Sequence, residues 1–132
     1  MLFGDPQYRD ALEMSLILDA QNGGDVQINM WHWRPTILLV RDALKLDDER
    51  FEKLHVNGIG ATVSAQEAHA IADYLDTYLE TFPQDGRLLL DGSITTRPRV
   101  RESDAENWHS AGHQWLVQFR DFCRSSGGFK VV

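Results

Sequence analysis

The sequence predicts an α+β fold in which helices dominate and short strands form a small antiparallel sheet. Capping boxes of the form S-x-x-E at Ser64 and Ser103 precede apolar residues at helical spacing, which indicates two amphipathic helices. Apolar and polar residues alternate over 26–30, as they do in a half-buried strand. A two-residue Asp-Gly connection between short apolar runs predicts a hairpin over 87–96.

The chain has the size and composition of one globular domain. Its 132 residues leave no room for a second independent core, so we predict a single domain over 1–132. Hydrophobic residues make up 42% of the chain and charged residues 25%, which is unlike a disordered protein. The one cysteine cannot form an internal disulfide, the N-terminal segment is too acidic for a signal peptide, and the apolar stretches are shorter than the roughly 20 residues of a membrane span. We therefore expect a cytoplasmic protein without membrane contact.

The charge balance bears on the class of partner. A formal net charge of -7 opposes binding to phosphate backbones, so we expect no nucleic-acid partner. An acidic protein meets basic partners more readily, and another protein is the partner we expect. The charge selects no function by itself, and the sequence leaves the oligomeric state open.

The first half of the chain mixes helix and strand signals. An Asp-Pro start predicts a helix over 5–20, but the apolar residues there form no single stripe, so a strand over 14–18 is an alternative. An Asn-Gly-Gly break then precedes the strand at 26–30. We expect Pro35 to end this strand and open the next helix, and an Asp-Asp pair to cap a short helix that ends at Leu54.

The second half has stronger boundary signals. A loop is expected over 55–61, and the helix after the first capping box should occupy 65–82, since a proline follows. The last helix is expected over 103–124, where a Gly-Gly pair comes soon after its end. The β-prone residues 129–132 should pair with the strand at 26–30 to satisfy their backbone groups.

Two sequence patterns stand near the start and the end of the chain. The first, N-x-W-x-W-R-P, begins at Asn29, and the second, F-x-x-F-C-x-x-S-G-G-F, begins at Phe119; a V-N-G-I-G segment at Val56 lies between them. In these segments the chain resembles a family of small uncharacterised bacterial and phage-borne proteins. The resemblance extends over about the whole chain, is specific only at the two patterns, and implies no activity, cofactor or catalytic residue.

The candidate binding residues are Trp31, Trp33, Arg34 and Asn57. Two tryptophans around a basic side chain would stack a planar ligand, while Arg34 holds its phosphate or carboxylate. The structural interpretation is that the indoles anchor the strand-to-helix corner as part of the core. Both interpretations stay open at the level of the sequence.

The sequence predicts neither a metal site nor a cofactor. His109 and His113 are four residues apart on the expected last helix, but a third ligand is missing. Cys123 adjoins the Phe119 and Phe122 face of the same helix, which favours a buried hydrophobic role over a nucleophile. No complete catalytic constellation emerges, and the sequence leaves open whether the protein is an enzyme.

Two classes of function remain. The favoured one is a noncatalytic protein-binding module, such as an immunity-type or phage-encoded inhibitor. The alternative is a small-molecule or nucleotide-binding domain, with or without enzymatic activity, that uses Trp31, Trp33, Arg34 and Asn57. A deep polar pocket at these residues would favour the alternative, whereas an exposed acidic or apolar patch would favour protein binding.

Overall fold

The computed structural model of the chain describes residues 15–56, 58–97 and 109–132. These ranges contain four helices: α1 (Met30–Leu44), α2 (Asp48–His55), α3 (Ala65–Glu80) and α4 (His113–Ser125). They also contain seven strands: β1 (Ser15–Ala20), β2 (Val26–Asn29), β3 (Ala61–Ser64), β4 (Arg87–Leu89), β5 (Ile94–Thr95), β6 (Ser110–Gly112) and β7 (Gly128–Val131). The expected α+β fold with mainly helical character is confirmed, with 49% helix and 25% strand among the described residues.

The strands form two antiparallel sheets rather than one. The larger sheet has the order β2-β1-β7-β3, and the smaller one has the order β5-β4-β6. The inner face of the larger sheet is buried against the helices, as Leu16 and Leu18 of β1 show. Its outer face is open, since Ile17 is 40% exposed and lies opposite Gln27.

The first strand corrects an expectation from sequence. A helix over 5–20 is wrong for residues 15–20, which form β1, and the alternative of a strand in this region is the better description; residues 5–14 lie outside the described ranges. Burial alternates along β1, so its apolar residues serve one sheet face and not a helical stripe. Pairing with β2 on one side and β7 on the other stabilises the strand.

Helix α1 begins five residues before the expected start. Asn29 ends β2 and caps the helix, because its side chain accepts a hydrogen bond from the His32 backbone N–H at 3.1 Å. Pro35 therefore lies inside α1, and the expectation that it opens the helix is wrong. The earlier cap and the burial of Trp33 and Ile37 on one face outweigh the hydrogen bond that a proline removes.

The next two helices confirm their predicted starts. Asp47 caps α2 by accepting from the Arg50 N–H at 2.8 Å. The capping box of α3 is complete: the Ser64 hydroxyl accepts from the Glu67 N–H, and the Glu67 carboxylate accepts from the Ser64 N–H. The predicted stripe of α3 is buried, including Ile71 and Leu75.

The predicted hairpin is present, but its turn is longer than expected. Leu88 of β4 lies opposite Ile94 of β5, and the Gly92 N–H donates to the Leu89 carbonyl. The connection therefore has three residues, 90–92, and its last residue, Gly92, has a φ of 88°, which glycine adopts readily. The expectation of a two-residue Asp-Gly turn is wrong.

The last helix starts later than the sequence suggests. Ser110–Gly112 form β6, which pairs with β4, so α4 begins at His113 and residues 109–112 are not helical. The predicted capping box at Ser103 lies outside the described ranges. From His113 onward the helix has the expected apolar face, and Cys123 is fully buried as predicted.

Strand β7 lies inside the larger sheet. It pairs with β1 and β3, so the expected pairing with the strand at 26–30 is wrong: β1 takes that place beside β2. Gly127 and Gly128, which both have a positive φ, lead the chain into β7. A Cβ on Gly128, whose φ is 98°, would lie 2.9 Å from the Val63 carbonyl oxygen and from the Ala65 nitrogen. Only glycine permits so close an approach between the two backbones.

Candidate functional site

Trp33 belongs to the core and not to a surface site. It is 1% exposed, and its indole Nε1–H donates to the Leu54 carbonyl at 3.0 Å. Its ring meets Phe119 edge to face at 5.7 Å between centroids. Trp33 thus joins the first turns of α1 to the C-terminal end of α2, and its contacts agree with the structural interpretation.

Trp31 lies on a different side of α1. It is half-buried, and its ring stands at 89° to that of His109, with 6.4 Å between the centroids. Because Trp33 faces the core, the two indoles do not enclose a common ligand. The structure therefore separates two residues that the sequence placed in one stacking site, and Asn57, the fourth candidate, lies outside the described residues.

Arg34 lies beside two histidines that are distant in sequence. Its Nη1 donates to His109 Nε2 across 3.5 Å, and its charge acts on the His55 ring. The Arg34 Nε is buried and has no hydrogen-bond partner. We call Arg34, His55 and His109 the basic cluster.

His55 is the last residue of α2, and its ring packs against Phe51 at 5.3 Å between centroids. Burial lowers the pKa of His55 below its usual 6.5, Arg34 lowers it further, and Glu52 opposes the shift. The ring is therefore neutral at pH 7. Its Nε2 is the second buried nitrogen without a hydrogen-bond partner. Leaving such a group unpaired costs about 1–3 kcal/mol, so the basic cluster needs an explanation.

The expected relation between His109 and His113 does not hold. His109 precedes β6 and faces Arg34 and Trp31, whereas His113 opens α4 and packs against Phe82 at 6.0 Å between centroids. The two residues thus do not share a helix face. Within the described ranges, no three His, Cys, Asp or Glu side chains are grouped as a metal ion would need.

A groove of about 310 Å³ lies where α1, α3 and the β4–β5 hairpin meet. We call it the hairpin groove. Its lining residues are Leu38, Leu39, Arg41, Asp42, Tyr74, Tyr78, Leu88, Leu90, Asp91 and Gly92. Sequence reasoning missed it, although two tyrosines four residues apart on α3, beside its apolar stripe, could have pointed to this face.

The floor of the hairpin groove is aromatic. Tyr74 and Tyr78 stack with 6.2 Å between centroids and 14° between planes. Burial raises the pKa of Tyr78 to about 12, with smaller contributions from Tyr74 and Asp42, so its hydroxyl stays protonated and can donate a hydrogen bond. Leu90, at the tip of the hairpin, is 43% exposed and forms one wall.

A second cavity, of about 420 Å³, lies between the N-terminal ends of α1 and α4. Gln27, Gln114 and Gln118 contribute carboxamides to its lining, together with His32 and Trp115. Several of its polar atoms bond within the protein: His32 Nδ1 lies 2.7 Å from the Ser110 carbonyl, and the Trp115 Nε1–H donates to the Thr36 hydroxyl at 2.9 Å. The first bond joins α1 to β6, and the second joins α1 to α4.

Comparisons of the chain with protein-family models, curated proteins and solved structures find no match. No helix in the described ranges combines the length and the apolar character needed to cross a membrane. What the chain binds must therefore follow from its own contacts.

Proposed function

We propose that the chain is a noncatalytic protein-binding module and that the hairpin groove is its docking surface. An immunity-type or phage-encoded inhibitor is a protein of this class. The observation that supports the proposal is the stacked Tyr74–Tyr78 pair, which forms the floor of an open groove beside the exposed Leu90.

The groove has the composition of a protein-binding hot spot. Tyrosines supply large contact areas with few rotatable bonds, and hot spots are enriched in them. Leu38 and Leu90 add apolar area near the tyrosines, while Asp42 and Asp91 provide charge in the same lining. An apolar centre with a charged rim is the usual arrangement of a specific interface.

The charges of the groove indicate the chemistry of the partner. Arg41 is held within the protein, because its guanidinium lies over the Phe51 ring at 5.3 Å and its Nε is 3.7 Å from Asp42. Asp91 and the net charge of -7 favour a basic partner, by attraction at contact and during approach. We therefore propose a partner surface with a lysine or arginine between apolar side chains.

The alternative class, a small-molecule or nucleotide-binding domain, has weaker support. Trp31 and Trp33 do not form the expected stacking site, since Trp33 is buried against Phe119. Arg34 keeps the capacity to hold an anionic group.

Site-specific crosslinking tests the docking surface. A photoreactive benzoylphenylalanine would replace Leu90 in the groove or, as a control, the exposed His69. His69 is nine residues before Tyr78 and so lies on the opposite side of α3. In cells of the native host we expect one protein to crosslink at position 90 and not at position 69.

The crosslinked protein would then be purified and titrated calorimetrically against the chain and its Tyr78→Ala variant. We expect saturable binding that Tyr78→Ala weakens by about 2 kcal/mol, as removal of a hot-spot residue does. Equal crosslinking at the two positions, or a purified pair that does not bind, would reject the hairpin groove as the docking surface.

A further inference from the structure

We propose that the basic cluster, Arg34 with His55 and His109, binds a small oxyanion, either a phosphate or a carboxylate group. This inference does not depend on the hairpin groove, which lies on other residues. It concerns a second site with a different kind of ligand.

The fold brings the cluster together from three parts of the chain. The hydrogen bond from the Trp33 indole to the Leu54 carbonyl holds the end of α2 against α1. Because Arg34 follows Trp33 and His55 follows Leu54, this bond also places His55 near Arg34. His109, just before β6, contributes the third ring, with its Nε2 3.5 Å from Arg34 Nη1. Each of the three residues is half-buried, so the cluster lies just below the surface.

The cluster has buried nitrogens that are not satisfied by the protein. Arg34 Nε and His55 Nε2 are buried, and neither has a hydrogen-bond partner. Arg34 also forms no ion pair with any carboxylate of the described residues, whereas Arg50, Arg120 and Arg124 each do. A water molecule would satisfy the nitrogens but would leave the half-buried guanidinium without a counterion among the described residues.

An oxyanion would satisfy the hydrogen bonds and the charge together. The planar guanidinium donates from Nε and Nη to two oxygens of one phosphate or carboxylate, and His55 Nε2 can donate to an oxygen as well when the ring carries its proton there. The long Arg34–His109 contact would yield to this stronger interaction. Because the two nitrogens are closed off from solvent, we expect a small anion or the terminal group of a larger ligand.

Nuclear magnetic resonance of the histidine side chains tests the proposal directly. The full chain would be titrated at constant ionic strength with inorganic phosphate, with acetate, and with chloride alone as the reference. We expect the ring signals of His55 and His109 to shift saturably with phosphate or acetate and not with chloride, while those of the exposed His69 stay in place. The anion that saturates at the lower concentration identifies the phosphate or the carboxylate as the preferred group.

Two variants separate binding from folding. Arg34→Gln should weaken the response at least about tenfold, and Arg34→Lys, which keeps the charge but lacks Nε, should weaken it less. Lys53→Gln is the matched control, because it removes one positive charge from an exposed position of α2 two residues from His55. Its response should equal that of the natural chain.

Binding of acetate, which stays ionised at mildly acidic pH, should also tighten as the pH falls below 6.5. Burial and Arg34 lower the pKa of His55 below this value, so the ring gains a proton only there, and a bound anion favours the charged ring as Glu52 does. The proposal is overturned if neither phosphate nor acetate shifts His55 saturably. It is also overturned if Lys53→Gln loses the response as fully as Arg34→Gln does.

Discussion

Polar side chains are satisfied differently in two regions: the α3–α4 pair, and the α1–α2 corner, where Trp33 of α1 bonds to Leu54 of α2. On α3 and α4 the charged side chains find partners: Arg124 contacts Asp73 at 3.2 Å and Asp76 at 2.5 Å across the two helices. At the α1–α2 corner Trp33 is satisfied by Leu54, but the neighbouring Arg34 keeps a buried nitrogen unpaired. The polar groups of the first region support the fold, whereas some of those in the second do not. Substitutions that lower stability and substitutions that weaken binding should therefore fall at different places in the molecule.

The largest loss of stability should come from the shared aromatic core. Phe119 is fully buried, stacks on Trp115 at 5.6 Å, and meets Trp33 and Phe129 edge to face. Phe119→Ala should lower the free energy of unfolding by about 3–5 kcal/mol, because it leaves a cavity between α4, α1 and β7. Urea unfolding measures this change. Gln118→Ala, at an exposed neighbouring position, should change it by less than about 0.5 kcal/mol. Similar losses in both variants would contradict the packing described.

A smaller loss should come from the α1–α2 corner. Trp33→Phe removes the donor to the buried Leu54 carbonyl and should cost about 1–3 kcal/mol in thermal or urea unfolding. Trp115→Phe is the matched variant, since it also removes an indole N–H bonded at 2.9 Å. Its cost should be lower, because the Thr36 hydroxyl keeps its bond to the His32 carbonyl. If Trp33→Phe is as stable as the natural chain, the link between the helices is not the Trp33–Leu54 bond.

The smallest effect should appear at the connection between the two regions. Arg50 of α2 donates to both carboxylate oxygens of Glu67 on α3, at 2.5 and 2.6 Å. These bonds lower the pKa of Glu67 from 4.5 to about 2, so the stabilisation is full above pH 4.5 and is lost as the pH falls toward 2. Glu67→Gln keeps a capping acceptor but removes the charge, and should cost about 1 kcal/mol or less at pH 7.

Measurements over a series of pH values provide the control for the Glu67→Gln prediction. The difference between the natural chain and Glu67→Gln should shrink as the pH falls and vanish near pH 2, as followed by urea unfolding at each pH. Glu49→Gln breaks an exposed pair with Lys53 and should cost almost nothing at any pH. A constant Glu67→Gln difference across this range would show that the carboxylate charge does not stabilise α3.

Signals within a few residues were enough to predict α3. They failed where contacts between residues far apart in the sequence determine the secondary structure. The α3 capping box at Ser64 contains its whole mechanism within four residues, so its start could be read from the sequence. Strand β1 could not be assigned with the same ease, because it depends on β7, more than a hundred residues away. The start of α4 was misplaced for the same reason: Ser110–Gly112 pair with β4, and the sequence does not indicate that partner.

The basic cluster was only partly predictable. Arg34 belongs to a sequence pattern of unusual residues, and the sequence suggested it as a ligand for anions. His55 gave no such signal, because its position beside Arg34 depends on the Trp33–Leu54 bond between two helices. Side-chain proximity of this kind arises from packing, which the spacing of residues in one segment does not encode.

The position of β7 also has a kinetic meaning. Leu18 pairs with Val131, so the sheet closes only when segments at opposite ends of the described chain meet. Contacts of such high sequence separation form slowly, because the entropy of closing a long loop must be paid first. The helices, whose contacts are local, can form earlier. Until β7 inserts, β1 and β3 each keep an open hydrogen-bonding edge, and during that interval the chain is most exposed to pairing with other chains.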